Sequence, residues 1–239
     1  MGTSVTLHVK RSGFEQTRSV LADELVCLSS TGSSGITDCH GSLAVHTAPT
    51  HVEGSPGLSE TSFNGLAVSI IATQDKLEWN HLNDAGACPC DLSQCDQGLT
   101  VAFWIKFPDT VLGLTHSKTF LSFGSFIAFQ YFGDVGNFVL MWKMQDIKWW
   151  NMAYVVPGSG WHFVASVWRP YPAFSVSYLD GDVSMFRDSS PLNVGLECEP
   201  MLVNNNLEEG DFYIGEIMFY TEAKAPGFIA AMYKYYTNA

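Results

Sequence analysis

The chain has 239 residues, with 24 acidic side chains against 12 basic ones and a formal charge of −12. That balance excludes a nucleic-acid groove, where Lys and Arg must neutralise phosphate, and disfavours an anionic membrane surface. Hydrophobic residues make up 46% and aromatics 13%, enough for a large core, and the length suits one principal all-β domain. No run of about 18 apolar residues occurs, so no transmembrane helix is expected. The first residues, MGTSVTLHVKRSGFEQ, lack the apolar centre of a signal peptide, which suggests an excised ectodomain or a chain that is not secreted.

Residues 1–57 are the least patterned. VTLHV (5–9), ELVCL (24–28) and SLAVH (42–46) read as strands, separated by Ser, Thr, Gly and Pro. This stretch is expected to be either a linker or an extension integrated into the domain that occupies 58–239. GLAVSII (65–71) and KLEW (76–79) follow as strands, and then a cysteine-rich loop over 80–97.

The tract from Gly98 to Tyr220 is patterned throughout. In 99–107, Leu99, Val101, Phe103, Ile105 and Phe107 alternate with Thr100, Ala102, Trp104 and Lys106. Trp161, Phe163, Ala165 and Val167 alternate with His162, Val164, Ser166 and Trp168, and Phe174, Val176 and Tyr178 with Ser175, Ser177 and Leu179. A period of two with β-branched and aromatic residues is the strand signal, because successive side chains leave opposite faces. TFLSFGSFIAFQYF (119–132) reads as two strands hinged at Gly124-Ser125, and 137–143 with 147–156 as a pair joined at Gln145-Asp146. Turns are expected at Pro157-Gly158 and Tyr171-Pro172. Asp180-Gly181 suits a two-residue hairpin, which needs positive φ at both central positions. The segment 187–210 reads as loop, and DFYIGEIMFY (211–220) as the last strand. Phe228, Ile229, Met232, Tyr233 and Tyr236 then recur with helical spacing behind Pro226, so a short amphipathic helix over 226–236 closes the chain. The fold class is all-β: a two-sheet antiparallel jelly-roll sandwich with one short C-terminal helix.

Six cysteines, Cys27, Cys39, Cys88, Cys90, Cys95 and Cys198, fit disulfides and an oxidising compartment. Cys27 with Cys39 is the favoured pair in the Gly/Ser-rich loop. Cys88 and Cys90 are too close to join each other, so one pairs with Cys95 and the other with Cys198. Zinc with His81 added matches no common ligand spacing.

Several motifs resemble the laminin-G-like and pentraxin-like domains of the concanavalin A-like lectin/glucanase superfamily. SFNG (62–65) resembles their opening FDG, GLTVAFWIKF (98–107) their first Trp-bearing strand, and GSGWHFVASVW (158–168) with FSVSYLDG (174–181) their central strand pair. DFYIGEIMFYTEAKAPGFIAAMYKYY (211–236) resembles their closing strand and helix. The resemblance spans about 57–239. It implies a jelly-roll module of a larger cell-surface or matrix protein that binds sugars, proteins or lipids, often with calcium. Asn64 and Gly215 stand where the family carries Asp, which weakens an inherited calcium site.

The chemistry narrows accordingly. Retaining glycoside hydrolysis needs two carboxyl groups about 5 Å apart. The E-x-D-x-E signature of laminarinase-type relatives is absent, since Tyr213 follows Glu209-Gly210-Asp211, and Glu216 counts to the other strand face. The chain is therefore not expected to be an enzyme. No nucleophile elbow and no phosphate-binding glycine loop is visible, and the seven histidines look scattered and unpaired, His162 lying beside a core Trp. Asp180, Asp182, Asp134 and Asp146 are the calcium candidates, with Asp180 already used by its turn. Trp149 and Trp150 are the ligand-contact candidates: adjacent strand residues face opposite ways, so one of them projects outward, where it can stack on a sugar ring or a partner's apolar patch. The expected function is a non-catalytic extracellular recognition or adhesion module for a glycan or protein. The alternative is a structural domain that self-associates.

Overall fold

The computed structural model describes residues 5–11, 14–20, 24–30, 36–38, 43–47, 50–53, 66–70, 76–79, 88, 92–109, 117–123, 127–134, 137–144, 150–156, 158–188, 201–203 and 212–237. Side chains are described at 88, 93–109, 118–122, 128–132, 155–156, 158–186, 212–215, 217–234 and 237. Among these residues the strands are, in chain order, β1 (Val5–Arg11), β2 (Phe14–Val20), β3 (Glu24–Ser30), β4 (Ile36–Asp38), β5 (Leu43–Thr47), β6 (Thr50–Glu53), β7 (Leu66–Ile70), β8 (Lys76–Trp79) and β9 (Leu99–Lys106). They continue as β10 (Ser117–Phe123), β11 (Ile127–Asp134), β12 (Asn137–Met144), β13 (Trp150–Val155), β14 (His162–Pro170), β15 (Ala173–Leu179), β16 (Asp182–Asp188), β17 (Met201–Val203) and β18 (Phe212–Tyr220). One helix, α1 (Pro226–Thr237), follows.

Two antiparallel sheets make the sandwich. One runs β13-β12-β11-β10-β17-β8-β5; the other runs β16-β15-β14-β9-β18-β3-β4, with β7 also on β18 and β6 on β7. β1 and β2 form a separate ribbon. Strands from before residue 58 are hydrogen-bonded into both sheets, β3 against β18 and β5 against β8. The expected jelly-roll sandwich with a closing helix is what the chain forms. β17 lies inside the stretch read as loop, and β2, β4 and β6 inside the stretch read as weakly patterned: all four are short or polar and gain their order from a neighbouring strand.

β9 shows why the core has three layers. It is buried on both faces except at Lys106. On the inter-sheet face Phe103 meets Phe120 at 5.5 Å and Phe129 at 5.2 Å between ring centroids, and Phe107 meets Tyr131 at 5.0 Å. These separations fit tilted and edge-to-face aromatic pairs. On the other face Ala102 and Trp104 join Phe163, Ala165, Val176, Tyr178, Ile229 and Met232 in a second cluster. Helix α1 covers that face. Tyr233 lies 5.9 Å from Trp104 and Phe228 lies 5.7 Å from Tyr220. The stripe read from the sequence is therefore the docking face at Phe228, Ile229, Met232 and Tyr233; the Tyr236 side chain is outside the described residues.

β18 departs from simple alternation. Ile214 pairs with Ile105 and Gly215 with Trp104, but Met218 pairs with Ala102, so one extra residue bulges out between Gly215 and Met218. A bulge reverses which face later residues take. Phe212 and Ile214 point between the sheets, whereas Met218 and Tyr220 belong to the cluster under α1. Asp211 and the side chain of Glu216, the two members of the face count, lie outside the described residues.

Candidate functional site

The polar groups gather at one end of the nine-stranded sheet, where two chain segments and α1 meet. The first segment is the turn Gly158–Gly160 ahead of β14. Its glycines take φ of +77° and +112°, a region that L side chains rarely adopt. The turn is tied down by Gly158 N–H donating to the Phe107 carbonyl at 2.8 Å and Ser159 N–H to the Val156 carbonyl at 3.0 Å. Ser159 is exposed at its apex.

The second segment is the hairpin between β15 and β16. Asp180 has φ +52° and Gly181 φ +86°, as the two-residue Asp-Gly turn requires. The register of β14 with β15 pairs Pro170 with Ala173 and Val164 with Leu179. Carried one residue further, it brings Phe163 beside Asp180. There the Asp180 N–H donates to the Phe163 carbonyl at 2.8 Å, and the Phe163 N–H donates to Asp180 Oδ1 at 2.9 Å. The second carboxylate oxygen, Oδ2, lies 2.9 Å from His162 Nδ1. His162 Nε2 in turn lies 2.8 Å from Ser159 Oγ, which also contacts the Val156 carbonyl. Ser159, His162 and Asp180 thus form one hydrogen-bonded chain that opens to solvent at the serine. The His162 and Asp180 side chains are 18% and 34% exposed, so the pair is sheltered while the hydroxyl is accessible.

The expectation that the histidines stand unpaired is corrected at His162. The sequence did carry a signal. Once the Tyr171-Pro172 turn is placed, the hairpin register alone sets 163 against 180.

The third contributor is α1. Tyr233 packs on the hairpin turn, and its phenol is pushed above the ordinary tyrosine range by burial and then by the charges of Asp180 and Asp182. Asp182 is exposed beside it. Asp109 packs against Gly158 on the far side of the serine turn.

Of the calcium candidates, Asp180 has both oxygens engaged as described, and Asp182 sits two residues on in the same hairpin. Asp134 lies in the other sheet, at the end of β11 opposite Asn137. Asp146 lies outside the described residues. No group of three His, Cys, Asp or Glu side chains suited to a metal occurs among the described residues. Of the ligand-contact candidates, Trp150 begins the edge strand β13 and pairs across with Trp142, while Trp149 lies outside the described residues. Cys88 and Cys95 form a disulfide with Cα atoms 5.0 Å apart, one of the two pairings expected for Cys95. Such a bond fits an oxidising compartment. The side chains of Cys27, Cys39, Cys90 and Cys198 lie outside the described residues.

The architecture is an antiparallel β-sandwich with one closing helix. Among solved structures, the chain is similar to the ligand-binding domain of botulinum neurotoxin serotype D in complex with N-acetylneuraminic acid, at 15% identity and a TM-score of 0.65, with 89% of this chain and 50% of that chain covered. It is similar to the binding domain of Paraclostridial Mosquitocidal Protein 1 at 14% identity and a TM-score of 0.66, covering 90% and 52%. It is also similar to the binding domain of botulinum neurotoxin DC in complex with rat synaptotagmin II, at 10% identity and a TM-score of 0.62, covering 90% and 52%. The chain spans about half the length of each of these structures. No protein-family model and no curated protein matches it.

Proposed function

We propose that this chain is an extracellular recognition module that binds a glycan or a protein, with laminin-G-like architecture and no glycosidase dyad. The observation that carries this reading is the fold: about nine-tenths of the chain follows the backbone of domains whose solved structures hold N-acetylneuraminic acid or a synaptotagmin. The Cys88–Cys95 disulfide supports an oxidising compartment and so the extracellular placement. Strands β3 and β5, built into the two sheets, support treating the segment before residue 58 as part of the same module. Trp149 and Trp150 supply the stacking surface in this reading. Asp182 and Asp134 remain the carboxylates open to calcium. A glycan array that includes sialylated oligosaccharides, run with and without chelator, tests it. The expected result is binding that Trp149→Ala or Trp150→Ala weakens by about tenfold or more, since aromatic anchors dominate such contacts. Absence of binding to any glycan, together with absence of a protein ligand by cross-linking to a cell surface, refutes it.

A second reading, self-association, rests on one observation. β16 closes one end of the nine-stranded sheet and leaves Val183 60% and Phe186 56% exposed. Open strand edges with apolar side chains invite pairing. Light scattering separates the two: a dimer that Val183→Lys dissolves favours assembly.

A further inference from the structure

We propose that Ser159 is a reactive nucleophile, activated by His162 and positioned by Asp180, that accepts an acyl group from an exposed ester and passes it to water. This goes beyond the recognition reading and does not depend on it. Four features of the turn carry it.

The first is the unbroken chain of contacts, Ser159 Oγ to His162 Nε2 at 2.8 Å and His162 Nδ1 to Asp180 Oδ2 at 2.9 Å. Nucleophile, base and orienting carboxylate within hydrogen-bond reach define an activated serine by geometry, whatever the fold or the order in sequence. The second is the hold on the carboxylate. Asp180 is locked to Phe163 by two reciprocal hydrogen bonds, so Oδ2 is fixed toward the imidazole and keeps the proton on Nδ1. Nε2 is then left as the acceptor for the serine proton. The third is access: Ser159 is exposed on a glycine-flanked turn, and a side chain built at Gly160 would meet nothing within 4 Å. The fourth is the residue after the nucleophile. The turn's hydrogen bonds use the N–H groups of Gly158 and Ser159, and among the described residues none accepts from the Gly160 N–H. In serine hydrolases of the elbow type the N–H following the nucleophile stabilises the oxyanion.

The step balances with water as the only co-reactant. Ser159 Oγ forms a bond to the ester carbonyl carbon as its proton passes to His162 Nε2. The carbonyl oxygen takes the displaced electron pair, next to the Gly160 N–H. The carbon–oxygen bond to the alcohol then breaks, and His162 returns its proton to the leaving oxygen. Water repeats the sequence on the acyl-serine, with its proton going to Nε2 and then to Ser159 Oγ, and a carboxylic acid is released. The Val156 carbonyl competes for the single hydroxyl proton in the resting state. The hydroxyl turns from it to Nε2, which lies 2.8 Å away, for the attack.

The test uses the whole chain with a fluorophosphonate probe and with p-nitrophenyl acetate. The wild-type protein is expected to take up one label, mapped to Ser159 by mass spectrometry, and to release nitrophenol. Ser159→Ala is expected to abolish both. His162→Ala is expected to slow both by roughly 10²–10⁴-fold, the usual contribution of a positioned general base. Imidazole added to His162→Ala is expected to restore part of the rate, which a packing defect would not permit. Asp180→Asn, which keeps the turn geometry, is expected to change the pH–rate profile. If the wild-type protein labels and hydrolyses no faster than Ser159→Ala while circular dichroism shows both folded, the serine is no nucleophile and the inference falls. Loss of glycan binding in the array leaves it untouched.

Discussion

Gly181→Ala puts the junction between the β15–β16 hairpin and α1 to a quantitative test. Gly181 has φ +86°, and a methyl group there would lie 2.8 Å from Tyr233 Cδ1, 3.1 Å from Cγ and 3.2 Å from Cβ. Two costs add. An L residue in the left-handed region costs about 1–2 kcal/mol. Carbon atoms prefer separations of about 3.5–4.0 Å, so the ring must retreat. It has little room to do so, because Cβ is fixed to the helix backbone and the ring packs 5.9 Å from Trp104 and 6.1 Å from Phe163. Overpacking of that kind costs about 1–3 kcal/mol. The expected loss is therefore about 2–5 kcal/mol, a large share of the roughly 5–15 kcal/mol that holds a typical domain. The assay is urea denaturation read as a change of midpoint at constant slope. The two costs separate in a double-mutant cycle. In a Tyr233→Ala background the clash is gone, and Gly181→Ala is expected to cost only about 1–2 kcal/mol. An equal cost in both backgrounds would refute the reasoning, because it would show that α1 does not press on the turn.

Other outcomes follow from the same packing and charges. Ile229 on α1 is fully buried against the sheet, so Ile229→Ala is expected to cost about 2–5 kcal/mol by denaturation, against no more than about 0.5 kcal/mol for exposed Ala231→Ser. The raised Tyr233 phenol means that the folded state favours the protonated ring. Its contribution is complete below the unfolded tyrosine range and is lost as pH climbs through the folded value. Tyrosinate absorbance is expected to show late-titrating groups, since burial raises Tyr178 as well, and Asp182→Asn to bring the Tyr233 step down, since the Asp182 charge raises it. Cys95→Ser opens the small loop closed by Cys88 and is expected to cost about 2–3 kcal/mol on the chain-entropy estimate. Peptide mapping under non-reducing conditions is expected to recover Cys27 joined to Cys39. That pairing is the one expected from the Gly/Ser-rich loop the two cysteines share.

Much of the scaffold was legible because it is written in short-range periodicity. The alternation in 99–107, 161–168 and 174–180 gave β9, β14 and β15. The Asp180-Gly181 pair gave the hairpin, since few residues accept positive φ at two successive positions. The spacing of Phe228, Ile229, Met232 and Tyr233 gave α1 and its docking face. β17 escaped because its three residues carry no period of their own and depend on β8 and β10 for their hydrogen bonds. The β18 bulge escaped because FYIGEIMFY is apolar on both strand faces, so no change of hydrophobic phase marks the extra residue. Double-sided burial hid it: one face of the sheet meets the other sheet and the other meets α1.

What the amino-acid order determines on its own is thus the strongly alternating strands β9, β14 and β15, the closing helix and an acidic, cation-poor composition. Each follows from preferences that act over a few residues. The tertiary structure decides the juxtaposition of Ser159, His162 and Asp180. A hairpin register brings Asp180 back beside Phe163, and a glycine turn anchored on the Phe107 carbonyl lifts Ser159 over the imidazole. The contact of His162 with Asp180 and the anchor of Gly158 on Phe107 cross between strands, so the turn residues by themselves do not set them. They exist only once the strands have paired.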